Sequence, residues 1–216
     1  MFILTQKNSI ANQFLAELRD VSVQGDRMRF RKNLERLGEI MAYEISKSLP
    51  YTPSELSGPF GNVQTEIPAE QPVIVSVLRA AVPFYQGVLN FFDRADSGFI
   101  GAYRVENHPN ETEISIRLNY LAAPSLENKT VLLVDPMLAT GKSFVKSAQH
   151  LISHGKPKKI EIVSVIAAPE GIDYIQKNLN IPHRFWTVAL DEKLNAQSYI
   201  IPGLGDAGDL AFGPKL

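Results

Sequence analysis

The stretch Val131-Leu132-Leu133-Val134-Asp135-Pro136-Met137-Leu138-Ala139-Thr140-Gly141-Lys142-Ser143 gathers a carboxylate, two hydroxyls, a glycine and an ammonium behind one apolar run. The β-branched run reads as a buried strand ending at Asp135. A helix is expected to begin near Lys142 or Ser143 and to stop around Gly155, with Pro157 beyond it. A helix N-terminus presents unpaired N–H groups and partial positive charge, so a phosphate dianion fits there. Thr140 and Ser143 can donate hydroxyl hydrogen bonds, and Gly141 lets the backbone approach closely. Asp135 can accept from vicinal hydroxyls. Together these groups suit a sugar phosphate better than a bare anion. Gly141-Lys142-Ser143 also matches the tail of the G-x-x-x-x-G-K-[ST] nucleotide loop. That loop needs glycine at position 136, where proline has no N–H and a fixed φ.

The elements around this stretch alternate. Val73–Leu78, Ile100–Tyr103, Val131–Val134, Ile160–Ala168 and Phe185–Leu190 are short apolar runs of the kind found in strands covered on both faces. Helices are expected between them at Phe84–Phe92, Phe144–Ser153 and Ile172–Leu179. This order argues for an α/β fold with a central, mostly parallel sheet flanked by helices. Apolar spacing of three and four predicts a helix over 26–48, capped by Asp26, and another from about Ser9 to Leu18. Pro50, Pro53, Gly58, Pro59, Gly61, Pro68 and Pro72 make 49–72 read as a loop-rich connection. Glu113 to Tyr120 alternates with period two, as a half-exposed antiparallel strand or β-hairpin arm would. The expected organisation is one domain over 1–216: N-terminal helices at about 9–48, the connection at 49–72, a core at 73–190 and a C-terminal segment at 191–216.

Composition narrows the function classes. The chain has 216 residues, a formal net charge of -1 and no cysteine. Thiolate chemistry and disulfides are excluded, and nothing marks a general nucleic-acid binder. No apolar run reaches the length of a bilayer span, and the N-terminus lacks a signal-peptide pattern. A cytoplasmic protein without membrane or nucleic-acid partners is expected.

Asp135-Pro136-Met137-Leu138-Ala139-Thr140-Gly141 resembles the motif by which type I phosphoribosyltransferases bind 5-phosphoribosyl-1-diphosphate (PRPP), in the form found in the uracil phosphoribosyltransferase family. Val77-Leu78-Arg79-Ala80, Tyr103-Arg104 and Ala167-Ala168-Pro169-Glu170-Gly171 are similar to other segments of that family. The longest match is Tyr199-Ile200-Ile201-Pro202-Gly203-Leu204-Gly205-Asp206-Ala207-Gly208-Asp209, which resembles its C-terminal uracil-recognition segment. The resemblance runs from about residue 27 to the end, weakest over 49–72 and 106–128.

The resemblance implies a type I phosphoribosyltransferase fold with a C-terminal base-binding hood, and transfer of phosphoribosyl from PRPP to uracil, giving UMP and diphosphate in pyrimidine salvage. Asp135, Pro136, Met137, Leu138, Ala139, Thr140, Gly141, Lys142 and Ser143 would hold the ribose and 5-phosphate. Arg79 and Arg104 would meet the diphosphate, as forked guanidinium groups do. Ile200, Gly205, Asp206 and Ala207 would bind uracil, mainly through the backbone. Asp206 would also approach PRPP through magnesium (Mg2+) or its waters, the metal being carried by PRPP with no direct protein cage. Arg79, Arg104 and Asp206 are thus the expected catalytic residues, and no histidine falls in a matched motif to serve as general base. The family also implies a homodimer or larger assembly, and GTP as a candidate effector. Lys142 and Ala81 stand where glycine is usual, and Leu210 replaces a usual basic residue. Two alternatives remain: an RNA-binding regulatory relative, using the basic cluster Arg27, Arg29, Arg31, Lys32 and Arg36, and a phosphoribosyltransferase for another base.

Overall fold

Polar caps and apolar stripes set up the N-terminal layer. The computed structural model describes residues 1–105 and 115–214, with side chains described outside 102–119. It begins with β1 (Phe2–Ile3) and a single 3-10 turn, Leu4–Gln6. In α1 (Ile10–Arg19), Ser9 and Asn12 form a reciprocal capping box. In α2 (Arg27–Ser46), the Asp26 carboxylate accepts the Arg29 N–H. Leu34, Leu37, Met41 and Ile45 are fully buried along one face of α2, each contributing about 1.5–3 kcal/mol of burial.

Glu17 joins the two helices. It accepts from Arg29 Nε and Nη2 at 2.8 and 2.9 Å and from Asn33 Nδ2 at 2.7 Å. The Arg29 hydrogen bonds, then that from Asn33, pull its carboxyl down from 4.5 to about 2. A depressed folded-state pKa stabilises the protein above pH 4.5 and loses that effect as pH falls toward 2. Glu17→Gln should therefore flatten the fall of Tm between those two pH values, measured by thermal denaturation across a pH series. An equally steep fall in the variant would show that the contact is not linked to folding.

Residues 49–72 are not a loop-rich connection. β2 (Tyr51–Gly58) and β3 (Gly61–Pro68) form an antiparallel hairpin from Tyr51↔Pro68 to Gly58↔Gly61. Both strands of a two-stranded sheet are edges, where a residue without an N–H is tolerated, so Pro53 and Pro68 fit. Most of the arm's side chains are exposed, and Phe60 projects fully at its tip.

The core follows as β4 (Val73–Leu78), α3 (Val82–Phe91), β5 (Ser97–Val105), β6 (Ser115–Ala122), β7 (Thr130–Val134), β8 (Met137–Leu138), α4 (Lys142–Ile152), β9 (Lys159–Ala167), α5 (Pro169–Asn178) and β10 (His183–Leu190). It closes with β11 (Lys193–Leu194), β12 (Ile200–Ile201) and α6 (Ala207–Phe212). The main sheet runs β1-β10-β9-β7-β4-β5-β6, with β8 also on β9. All pairings are parallel except β5 with β6. The alternating segment is thus an antiparallel strand as expected, and it lies at the sheet edge; Glu113 and Ile114 lie outside the described residues. The free-standing arm is 51–68 instead.

Alternate residues of the strands feed opposite cores. Ile74, Leu132, Val163 and Trp186 pack with α1, α2 and α3. Val75, Leu133, Ile162 and Phe185 pack with α4 and α5. Coverage on both faces explains the continuous apolar runs. From β4 the chain steps to β5 on one side and later to β7 on the other, so the sheet reverses direction between β4 and β7. In open α/β sheets such a switch point opens a crevice beyond the carboxyl ends of its strands. No helix among the described residues is long and apolar enough to cross a membrane.

Candidate active site

Both flanks of the switch point carry the residues singled out above. Ser76 of β4 lies beside Val134 of β7, so Arg79 and Asp135 follow adjacent strand ends. The Asp135 N–H donates to the Val163 carbonyl at 3.1 Å, and its Oδ1 accepts the Met137 N–H at 3.0 Å. The Pro136 carbonyl accepts from the N–H groups of Val165 and Ile166, and β8 then pairs Met137 with Ile166 and Leu138 with Ala167. The loop is therefore laced to β9 before it reaches Ala139 and Thr140. Thr140 Oγ1 accepts the Lys142 N–H at 3.4 Å. Lys142 and Ser143 open α4, are half-buried, and share its first turn with no acidic residue.

Gly141 turns the loop into α4 with φ 73°. A Cβ there would come within 2.5 Å of the Gly171 carbonyl. In turn, a Cβ on Gly171 would strike the Ala139 carbonyl. Loop and α5 thus touch backbone to backbone, and only glycine at both places permits it.

Arg79 reaches the tail of the chain. Its Nη2 donates to Asp209 Oδ1 at 2.8 Å and to the Gly213 carbonyl at 2.6 Å, while Nε is buried with no partner among the described residues. Asp206 caps α6 by accepting the Asp209 N–H at 3.0 Å. A Cβ on Gly208 would stand 3.8 Å from that of Ala80 and 3.9 Å from Arg79 Nε. The C-terminal segment therefore lies directly on the end of β4, beside the switch point.

Within that segment, β11 and β12 pair Lys193 with Ile201 and Leu194 with Ile200. Ile200 and Ala207 are buried; Gly205 and Asp206 are exposed. The N–H groups of Gly205, Asp206 and Ala207 carry no hydrogen bond among the described residues. Leu210 packs against the core, with its Cδ1 3.3 Å from where a Gly205 Cβ would be. Arg104 sits in β5 opposite Ile116; its side chain lies outside the described residues.

Sequence reasoning missed three partners of these groups. Asp209, which holds Arg79, was noted only as part of the matched segment. Arg19 and Asp191 form a bidentate pair 172 positions apart. A signal for Asp191 existed, because it follows an apolar strand just as Asp135 does. Nothing in the sequence pointed to Arg19.

The basic cluster is largely spent on the protein itself. Arg29 pairs with Glu17, Arg31 Nη1 donates to the Ala211 carbonyl at 2.7 Å, and Lys32 pairs with Glu35. Arg36 donates to Asn33 Oδ1 and lies over the Phe14 ring. These contacts give four members of the cluster a structural role.

Comparison with known proteins agrees with this geometry. A uracil phosphoribosyltransferase from Porphyromonas gingivalis is 41% identical over 213 residues, covering 99% of this chain and 98% of that one. A solved protein from Aquifex aeolicus superposes with a TM-score of 0.84 at 30% identity, over 97% of each chain. A hypoxanthine phosphoribosyltransferase from Staphylococcus aureus shares the fold at a TM-score of 0.50 and 16% identity, over 87% of this chain and 83% of that one. The family model described as uracil phosphoribosyltransferase matches residues 4–214. By these matches and by the arrangement at its sheet switch point, the chain belongs to the uracil phosphoribosyltransferase family.

Proposed function

We propose that this chain joins uracil to PRPP, giving UMP and diphosphate, with the sugar phosphate beyond β7 and the pyrimidine against residues 200–207. The observation that carries this reading is Arg79. It follows the strand beside the phosphate loop and holds the C-terminal segment through Asp209 and Gly213. One guanidinium thus stands between the place for a sugar phosphate and the place for a base.

In this reading Asp135 accepts from the ribose hydroxyls. Residues Pro136 to Ser143 wrap the 5-phosphate at the start of α4, where Lys142 adds a cation. Arg79 and Arg104 offer forked donors to the diphosphate. Backbone groups of Ile200, Gly205, Asp206 and Ala207 match the polar edge of uracil. The uracil nitrogen attacks C1 of the ribose as the bond from C1 to the diphosphate oxygen breaks, and the nitrogen releases its proton. The protein supplies positioning and charge stabilisation in place of a nucleophile.

The residues present fit a PRPP-borne Mg2+. Asp206 is exposed, and its Oδ1 accepts the Asp209 N–H. Magnesium bound chiefly by phosphate oxygens and waters needs little more than one such carboxylate, and when bound it offsets charge on the leaving diphosphate.

We place the activity in the cytoplasm, in keeping with a chain without cysteine. We also assign the exposed β2–β3 arm, with Leu56, Phe60 and Val63 open to solvent, to contact with a second copy. This requires the purified chain to sediment above its 24.0 kDa monomer.

Labelled uracil mixed with the chain, PRPP and Mg2+ should yield UMP, and hypoxanthine or orotate should not compete. The same assay with added GTP tests it as an effector. Absence of UMP, or preference for another base, would overturn the reading.

A further inference from the structure

We infer that the partly buried Arg19–Asp191 pair is a positioning device for the base-binding turn, so that α1 is part of the pyrimidine site. The inference rests on the reading of Ile200 and Gly205 to Ala207 as that site.

The turn is held through its backbone from one side. Asp191 directly follows β10, with its side chain only 4% exposed. Its Oδ1 accepts from Arg19 Nη2 at 2.5 Å, and its Oδ2 accepts from Arg19 Nη1 and from the Gly203 N–H, each at 2.9 Å. The same Arg19 Nη1 donates to the Gly203 carbonyl at 2.9 Å. One ion pair therefore satisfies both polar groups of Gly203. That glycine has φ 68°, and a Cβ on it would strike the Ile200 carbonyl. Gln24, just past α1, adds a weaker bond from Nε2 to the Leu204 carbonyl at 3.5 Å and anchors itself on the Leu18 carbonyl at 3.0 Å.

The division of labour follows from valence. The carbonyls of Gly203 and Leu204 accept from the α1 side, while the N–H groups of Gly205, Asp206 and Ala207 stay available for a ligand edge. A buried carboxylate with charge-assisted partners fixes a turn more firmly than neutral bonds would. Neither Arg19 nor Asp191 need touch uracil to set where those donors stand.

Asp191→Asn keeps the shape and removes the charge. It should raise KM for uracil roughly tenfold, as expected when binding groups are slightly misplaced, while KM for PRPP stays unchanged. Arg19→Met should do the same. The double variant should lose no more than the worse single one, because the pair acts as a unit. A merely structural role predicts fewer active molecules with both KM values intact. Glu161→Gln is the control: this buried β9 carboxylate bonds Lys159 and Trp186 away from the turn, so it can lower Tm without moving either KM. Should Asp191→Asn fail to fold, Arg19→Lys retains the charge without the fork and should raise only the uracil KM, by less. Unchanged uracil KM, or equal rises for both substrates, would overturn the inference. Failure of the base-site reading would look different, as absence of uracil turnover in the unaltered chain, and would remove this inference with it.

Discussion

Asp206→Asn is expected to lower kcat by about a hundredfold or more, the scale on which removing one charge-stabilising group acts, with the fold intact. Asparagine caps a helix as well as aspartate does. It can keep the bond to the Asp209 N–H, now 3.0 Å long, so α6 should form and Arg79 should keep its partner in Asp209. What disappears is one negative charge, exposed at the mouth of the turn proposed to bind the base. Circular dichroism and Tm should match the unaltered chain while steady-state turnover falls. Turnover at the original rate would remove Asp206 from the reaction and leave it a cap.

Gly141→Ala should weaken PRPP binding and the fold together. An L-residue in the left-handed region costs roughly 1–2 kcal/mol. Its Cβ would also stand 2.5 Å from the Gly171 carbonyl and 3.0 Å from Ile175 Cγ1. Gly171 presents backbone, so α5 or the loop itself must move, and crowding of this kind adds about 1–3 kcal/mol. The summed destabilisation is about 2–5 kcal/mol. The loop's donors shift with it, so KM for PRPP should rise at least about tenfold. Chemical denaturation and PRPP titration check the two halves. A variant with unaltered stability would show that the loop and α5 do not meet this closely in solution.

Sequence and structure diverge where long-range pairing decides the outcome. The strand-loop-helix unit at 130–152 was legible because strand, Asp135, glycine and helix start are contiguous and each has a local cause. The buried strands were legible because cover on both faces leaves unbroken apolar runs. The β2–β3 arm was hidden by its prolines and by exposure of nearly all its side chains, which erases period-two patterning. β1 is too short for any pattern; only its partner β10 makes it a strand. The contact of Arg79 with Asp209 joins residues 130 positions apart, and no spacing rule reaches that far. The diphosphate role of Arg104 rests on the family resemblance, since its side chain lies outside the described residues.

If residues 200–207 bind the base as proposed, the bonds from Arg19 and Gln24 to Gly203 and Leu204 set a condition for transplanting base preference between related enzymes. Residues 191–214 moved alone would arrive with two carbonyls deprived of their donors and a carboxylate without its guanidinium. A workable graft has to carry residues 10–24 as well, although residues 25–190 separate the two pieces.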